Sequence, residues 1–136
     1  MRMATHLLSA PMLTLACASL APMPPDRVAA GLWGGEHVAL TVTDSGASLE
    51  FDCASGEIPQ ALSTDAAGRF AADGVFVRQR PGAQRIGDEP DRQQARYEGR
   101  LAGNTLTFEV ILTESKQTVG TFTVERGATP RVRKCR

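Results

Sequence analysis

The stretch Gly31–Cys53, GLWGGEHVALTVTDSGASLEFDC, limits what this chain can fold into more than any other part of it. Val38, Leu40 and Val42 alternate with Ala39, Thr41 and Thr43, the period of a strand with one face buried and one face wet. Leu49, Phe51 and Cys53 repeat the alternation after a turn. With Ser45-Gly46 as the centre of a tight turn, Val42 meets Leu49, Leu40 meets Phe51 and Val38 meets Cys53, apolar against apolar throughout. Gly34-Gly35 lies just before that first strand, where a bulge or a close backbone approach would reset the phase between Trp33 and Val38.

Short alternating segments separated by turns continue beyond Cys53. Ile58–Leu62 reads as a weak strand interrupted by Pro59. Gly68–Ala72 and Val75–Arg80 read as a hairpin about Asp73-Gly74, which pairs Ala72 with Val75 and Phe70 with Val77. Ala95–Leu101 and Thr105–Thr113 flank Gly103-Asn104, setting Leu101 against Leu106, Gly99 against Phe108 and Tyr97 against Val110. Val119–Arg126 closes the series, with Phe122, Val124 and Arg126 on one parity; Phe122 faces Val110 if the preceding turn holds an odd number of residues. The segment 81–93 is charged and contains proline, the composition of a long surface loop. The expected fold is all-β: a single small antiparallel up-and-down barrel of about eight strands whose inward set is Leu40, Val42, Leu49, Phe51, Phe70, Val77, Leu106, Phe108, Val110 and Phe122.

The start of the chain sets the compartment. Residues 1–18 combine a basic Arg2, an apolar run through Leu7, Leu8, Met12, Leu13 and Leu15, and small residues at Ala16 and Ala18, which reads as a secretory leader. Two processing routes are open: cleavage after Ala18, or a lipoprotein box that leaves a lipidated Cys17 and attaches the protein to a membrane. Residues 19–30, with Pro22, Pro24 and Pro25, read as a tether, and 31–136 as the folded domain. Either route removes or modifies Cys17 and leaves Cys53 and Cys135 as an even pair in an oxidising compartment, hence a disulfide. The expected location is the periplasm or the outer membrane.

The pairing also constrains the strand count. If the tail leaves the last strand directly at the end of the barrel that holds Cys53, the number of strands is even, which favours eight over seven. Gly31-Leu32-Trp33 ahead of the first strand resembles the G-x-W opening of calycin barrels, the lipocalin and avidin-like families. There the tryptophan packs near the barrel base beneath an arginine of the last strand, and Arg126 has the parity for that role. Other lipocalin motifs are missing, and no set of residues matches a biotin site, so the resemblance implies a fold and no ligand. The domain is also similar to secreted bacterial proteins of unknown function that share a Trp-Gly-Gly opening and two distant cysteines, which implies no activity.

Little in the chain carries chemistry. His37 is the one histidine outside the leader, and it lacks the cysteine or clustered carboxylate partners of a zinc site. Ser45, Ser48 and Ser55 have no second histidine for a triad, and Glu50 and Asp52 read as outward strand residues. No cofactor motif and no phosphate-binding glycine loop is present, and a net charge of +0 gives no general attraction for nucleic acid. The expectation is therefore a non-catalytic, monomeric, exported protein that binds a small apolar ligand in the barrel or meets an exported protein. The alternative is an interaction or inhibitor module working through the 81–93 loop, with Arg85, Asp88, Glu89, Asp91 and Arg92 as its contact residues. Arg131, Arg133, Lys134 and Arg136 form a basic tail that reads first as a solvated terminus and second as a contact for anionic headgroups.

Overall fold

The period-two segments close on themselves. The structure, a computed structural model, describes residues 26–80 and 91–135 together with Pro11 and Gly87. Its strands are β1 (Asp26–Arg27), β2 (Gly31–Gly35), β3 (Val38–Val42), β4 (Ala47–Phe51), β5 (Ala54–Ile58), β6 (Ser63–Thr64), β7 (Arg69–Arg78), β8 (Asp91–Ala102), β9 (Thr105–Leu112) and β10 (Thr118–Arg126). Eight of them form a closed antiparallel barrel in the order β10-β2-β3-β4-β5-β7-β8-β9, and β1 pairs with β6 in a separate ribbon. The fold and the Cys53–Cys135 disulfide are those expected from the sequence. Closure leaves no long unpaired edge, so the backbone donors and acceptors of these short strands are satisfied within the wall.

The strand boundaries differ from the expected ones in an instructive way. Gly31–Gly35 is a strand in its own right, joined to β3 by the two-residue turn Glu36-His37, with His37 at φ 66°. The β3–β4 loop is four residues long: Thr43 N–H donates to Gly46 O at 2.8 Å, and Gly46 N–H donates to the Thr43 hydroxyl at 3.2 Å. Val42 therefore meets Ala47, Leu40 meets Leu49 and Val38 meets Phe51. The register slips by two residues from the expected one, a shift that keeps every side chain on its face. Cys53 consequently lies beyond the strand, in the Asp52-Cys53 corner before β5, at φ 55°.

The expected Asp73-Gly74 hairpin does not form. β7 runs unbroken from Arg69 to Arg78 and pairs along its whole length with β8, so that Phe76, and not Val77, faces inward. The Ile58–Leu62 strand is displaced to Ala54–Ile58, and Pro59 ends it. One strand unforeseen, β2, and two expected strands that are one, β7, cancel, and the total stays at eight. The meander Asp91–Leu112 has the expected register, Leu101 to Leu106, Gly99 to Phe108 and Tyr97 to Val110. The β9–β10 connection, residues 113–117, brings Phe122 to the interior face shared with Val110, opposite Phe108.

The interior is filled. Leu40, Leu106, Val38, Val110 and Val124 are at most 1% exposed. Phe76, Phe51, Phe122 and Phe108 form a chain of tilted rings across the lumen, with successive centroids 5.5, 4.8 and 5.7 Å apart. Tyr97, 0% exposed, lies over two glycines: a Cβ on Gly56 would come within 2.3 Å of its hydroxyl, and one on Gly74 within 3.1 Å of its ring. The hydroxyl donates to Val75 O at 2.7 Å, so its burial leaves no orphaned donor. Desolvation pushes the phenol above its ordinary range. The residual void among Leu40, Leu49, Ile58, Leu62, Phe70, Tyr97, Leu106 and Phe108 is about 10 Å³, at the limit of holding a single water.

The two ends are closed differently. At the base, the residues preceding β2 fold across the opening: Val28 N–H donates to Leu62 O at 3.0 Å, and Val28 and Leu62 are 4% and 3% exposed. Trp33, 1% exposed, donates its indole N–H to Ala29 O at 2.9 Å. At the opposite end, the rim, the C-terminal tail is held against the turns that carry Glu36, His37, Asp52 and Cys53.

Candidate functional site

The tail reaches the rim by reversing direction. β10 descends to the base, where Arg126 is the register partner of Trp33. Gly127, at φ 76°, turns the chain and donates its N–H to Leu32 O at 2.7 Å. Residues 128–130 then climb the outer wall over Gly34, where a Cβ would lie 2.1 Å from Ala128 O and 2.7 Å from Pro130 N. Glycine at that position is a requirement of space and not of backbone angle. The even strand count expected from the sequence assumes that the last strand ends at the disulfide's end of the barrel; it ends at the base instead, and the tail covers the distance back.

Above Gly34 the tail is held by a series of polar contacts. Arg131 N–H donates to Gly35 O at 3.0 Å and His37 N–H donates to Arg131 O at 2.8 Å, a parallel bridge at Glu36. The Arg131 guanidinium donates to Glu36 Oε1 at 3.0 Å in an exposed pair. Asp52 takes two bonds: one oxygen accepts from Arg133 N–H at 2.6 Å, and the other lies 2.5 Å from His37 Nδ1. Cys135 is bonded to Cys53 with their Cα atoms 4.7 Å apart, and Gln79 N–H donates to Cys53 O at 2.9 Å. The Arg133 amide holds the Asp52 carboxyl below the ordinary carboxylate range, with the His37 contact acting in the same direction.

The alternation predicts Asp52 to be an outward strand residue. It is instead the half-buried acceptor of the Asp52-Cys53 corner, and the signal that it had a partner was its place beside a cysteine paired 82 residues away. The His37–Asp52 pair has the geometry in which a carboxylate orients an imidazole, yet no serine or cysteine thiol is hydrogen-bonded to it among the described residues. Nor does any group of three or more His, Cys, Asp or Glu side chains among them form a cluster able to hold a metal ion. What the pair does is fix the tail.

The remaining candidate residues are dispersed. Cys17, Arg85, Asp88 and Glu89 lie outside the described residues, as do the leader and most of the tether. Asp91 is half-buried and accepts from Gln93 Nε2 at 3.3 Å, whereas Arg92 is exposed. Arg126 is beside Trp33 in register, but its side chain is exposed, and the indole's polar contact is with Ala29. Among the described residues no cation–π contact joins the two. Open grooves lie on the outer wall, one of about 520 Å³ lined by Ser63, Thr64, Asp65, Arg69, Phe70 and Glu98, of which Thr64 and Phe70 are buried.

Around the disulfide the rim is basic. Arg78 and Arg80 flank Gln79, whose carbonyl is 3.8 Å from Cys135 Sγ; Arg133 and Lys134 precede Cys135; and Arg92 is the register partner of Val77. All of these cations are exposed, and none has an ion pair among the described residues. Glu36 and Asp52, the rim carboxylates on that side, are already occupied by Arg131, His37 and the Arg133 amide.

No protein-family model, curated protein or solved structure matches the chain.

Proposed function

We propose that this protein is a non-catalytic, exported binding module that works from its outer surface, with the barrel serving as a rigid support. The observation that carries this reading is the filled interior: a lumen whose residual void is about 10 Å³ has no room for the small apolar ligand that calycin-like barrels enclose. Export is supported by the leader-like residues 1–18 and by a disulfide joining the two cysteines that lie beyond them. The calycin likeness belongs to the same reading, at the level of an opening tryptophan in a closed eight-stranded wall. A polar site for chemistry would need groups converging at one end, and among the described residues the convergent set His37, Asp52 and the Arg133 amide is spent on holding the tail.

Native mass spectrometry of the full chain, isolated from a bacterial envelope without reduction, tests this. The expected spectrum is a monomer two hydrogens lighter than the dithiol and free of bound small molecules. A stoichiometric apolar molecule released only on denaturation would overturn the reading and turn attention back to the lumen.

A further inference from the structure

We infer that the rim slot filled by the tail is a thiol–disulfide exchange site, which takes an extended, arginine-bearing segment of a partner protein and bonds it to Cys53. The inference rests on the surface-binding reading and names the partner's chemistry. Its first support is the spacing of the tail's contacts. Arg131 makes both backbone bonds of a parallel bridge, donating to Gly35 O and accepting from His37 N–H, while its guanidinium meets Glu36. Two residues on, Arg133 N–H donates to Asp52; two further on, Cys135 is bonded to Cys53. Contacts at every second residue are those of a strand laid on the wall. The slot therefore reads an arginine, a backbone N–H two residues later and a cysteine four residues later.

The second support is the unequal footing of the two cysteines. Cys53 sits in the corner between β4 and β5, where the flanking Phe51 and Ala54 are paired in the wall. Cys135 belongs to a tail whose polar contacts are exposed. Breaking the bond between them removes the tail's anchor and leaves Cys53 in place. The neighbouring charges agree. Cys135 follows the exposed cations Arg133 and Lys134, which favour a thiolate, whereas Cys53 follows Asp52, whose carboxyl is held ionised and disfavours one. Cys135 is accordingly the better leaving group. Both cysteine residues are half-buried, so neither is sealed in the core.

In the step itself the partner's thiolate attacks Cys53 Sγ and a new S–S bond forms there. The Cys53–Cys135 bond breaks, and its electron pair leaves on Cys135 Sγ, which takes up a proton from water. Gln79 O, 3.8 Å from that sulfur, accepts from the resulting thiol. One disulfide replaces another, and neither an oxidant nor a reductant is consumed. The contacts with Glu36, His37 and Asp52 pass from the tail to the incoming segment.

The test incubates the oxidised full chain, without denaturant, with a synthetic peptide of residues 128–135, A-T-P-R-V-R-K-C, carrying a free thiol. A control peptide of the same composition, A-R-R-T-V-P-K-C, has threonine four residues and proline two residues before its cysteine. Mass-spectrometric mapping locates each mixed disulfide, and circular dichroism verifies that the barrel persists. The tail peptide should be found on Cys53, with Cys135 as a free thiol, at least about fivefold more often than the control. In Glu36→Ala and Asp52→Ala chains that ratio should fall toward one, even where a loosened tail raises total exchange. Equal attachment of the two peptides to the wild-type chain, attachment at Cys135, or attachment only after unfolding overturns the inference. An apolar molecule released from the lumen would instead overturn the reading on which the inference rests.

Discussion

The base and the rim of this barrel are held together by different physics. A closed wall leaves two openings through which water could reach the core. At the base the opening is stopped by apolar packing, Val28 and Leu62 above Trp33, all at most 4% exposed. At the rim a tail is held by contacts that are polar, exposed and anchored by one covalent bond. Packing is indifferent to pH and redox state, whereas hydrogen bonds to a carboxylate and a disulfide are sensitive to both. The comparison predicts that the ends fail separately and under different conditions.

The largest effect is expected at the base. Trp33→Ala removes a fully buried indole and its bond to Ala29, and unfolding should become easier by about 3–5 kcal/mol, equally with and without reductant. Cys135→Ser at the rim should cost about 2–4 kcal/mol under oxidising conditions. Reductant should erase the difference from wild type, and denaturant melts in both redox states would show it. Gly34→Ala should cost about 1–3 kcal/mol, because its Cβ would meet backbone atoms of the climbing tail. The barrel strands should survive that change while the contacts of residues 131–135 weaken, an outcome readable in amide spectra.

Acid provides the smallest and most selective perturbation. The Asp52 carboxyl is held below its ordinary value, chiefly by the Arg133 amide, so the folded state favours its ionised form more than the unfolded chain does. Its contribution is complete above the ordinary carboxylate pKa, about 4, and is lost as pH falls through the lowered value. Asp65 near the base is shifted in the same direction by the amides of Arg69 and Ala67, which lie 2.9 Å from its Oδ1. Asp52→Asn should therefore remove only the rim's share of the acid sensitivity. Melting temperatures of the variant and wild type should converge as pH falls through the lowered Asp52 value. A constant difference across the whole range would mean that ionisation of Asp52 does not hold the tail.

The comparison also separates what the sequence could convey from what it could not. Alternation in Val38–Val42, Ala47–Phe51 and Thr105–Leu112 was sufficient for a small closed wall, because period two forces one face inward whatever the register. The Gly103-Asn104 turn was legible since glycine there takes φ 61°, the property that makes such dipeptides turn signals. Gly74 misled for the complementary reason. Its backbone is ordinary strand, and it is glycine because Tyr97 and the Glu57 carbonyl occupy the space of a side chain. Gly34 belongs to the same class, with the tail in place of the tyrosine. A glycine kept for space is set by a residue far away in sequence, so local pattern cannot distinguish it from a glycine kept for conformation.

The rim was harder to foresee than the wall. The two cysteines announced their bond through compartment and count, but the path of the tail depends on a reversal at Gly127 and on Asp52 lying at a corner. The corner follows from the two-residue register shift between β3 and β4, which leaves Cys53 outside β4 and Asp52 within reach of His37 and Arg133.

Hydrogen exchange measured by mass spectrometry on the native full chain, with and without reductant, addresses the difference between the ends most directly. Reduction should raise exchange at the amides of His37, Gln79, Arg131 and Arg133, all of which bond across the rim, while Val28 and the central barrel strands keep their protection. Loss of protection at Val28 in step with the rim, or full protection of the tail after reduction, would contradict two ends held independently.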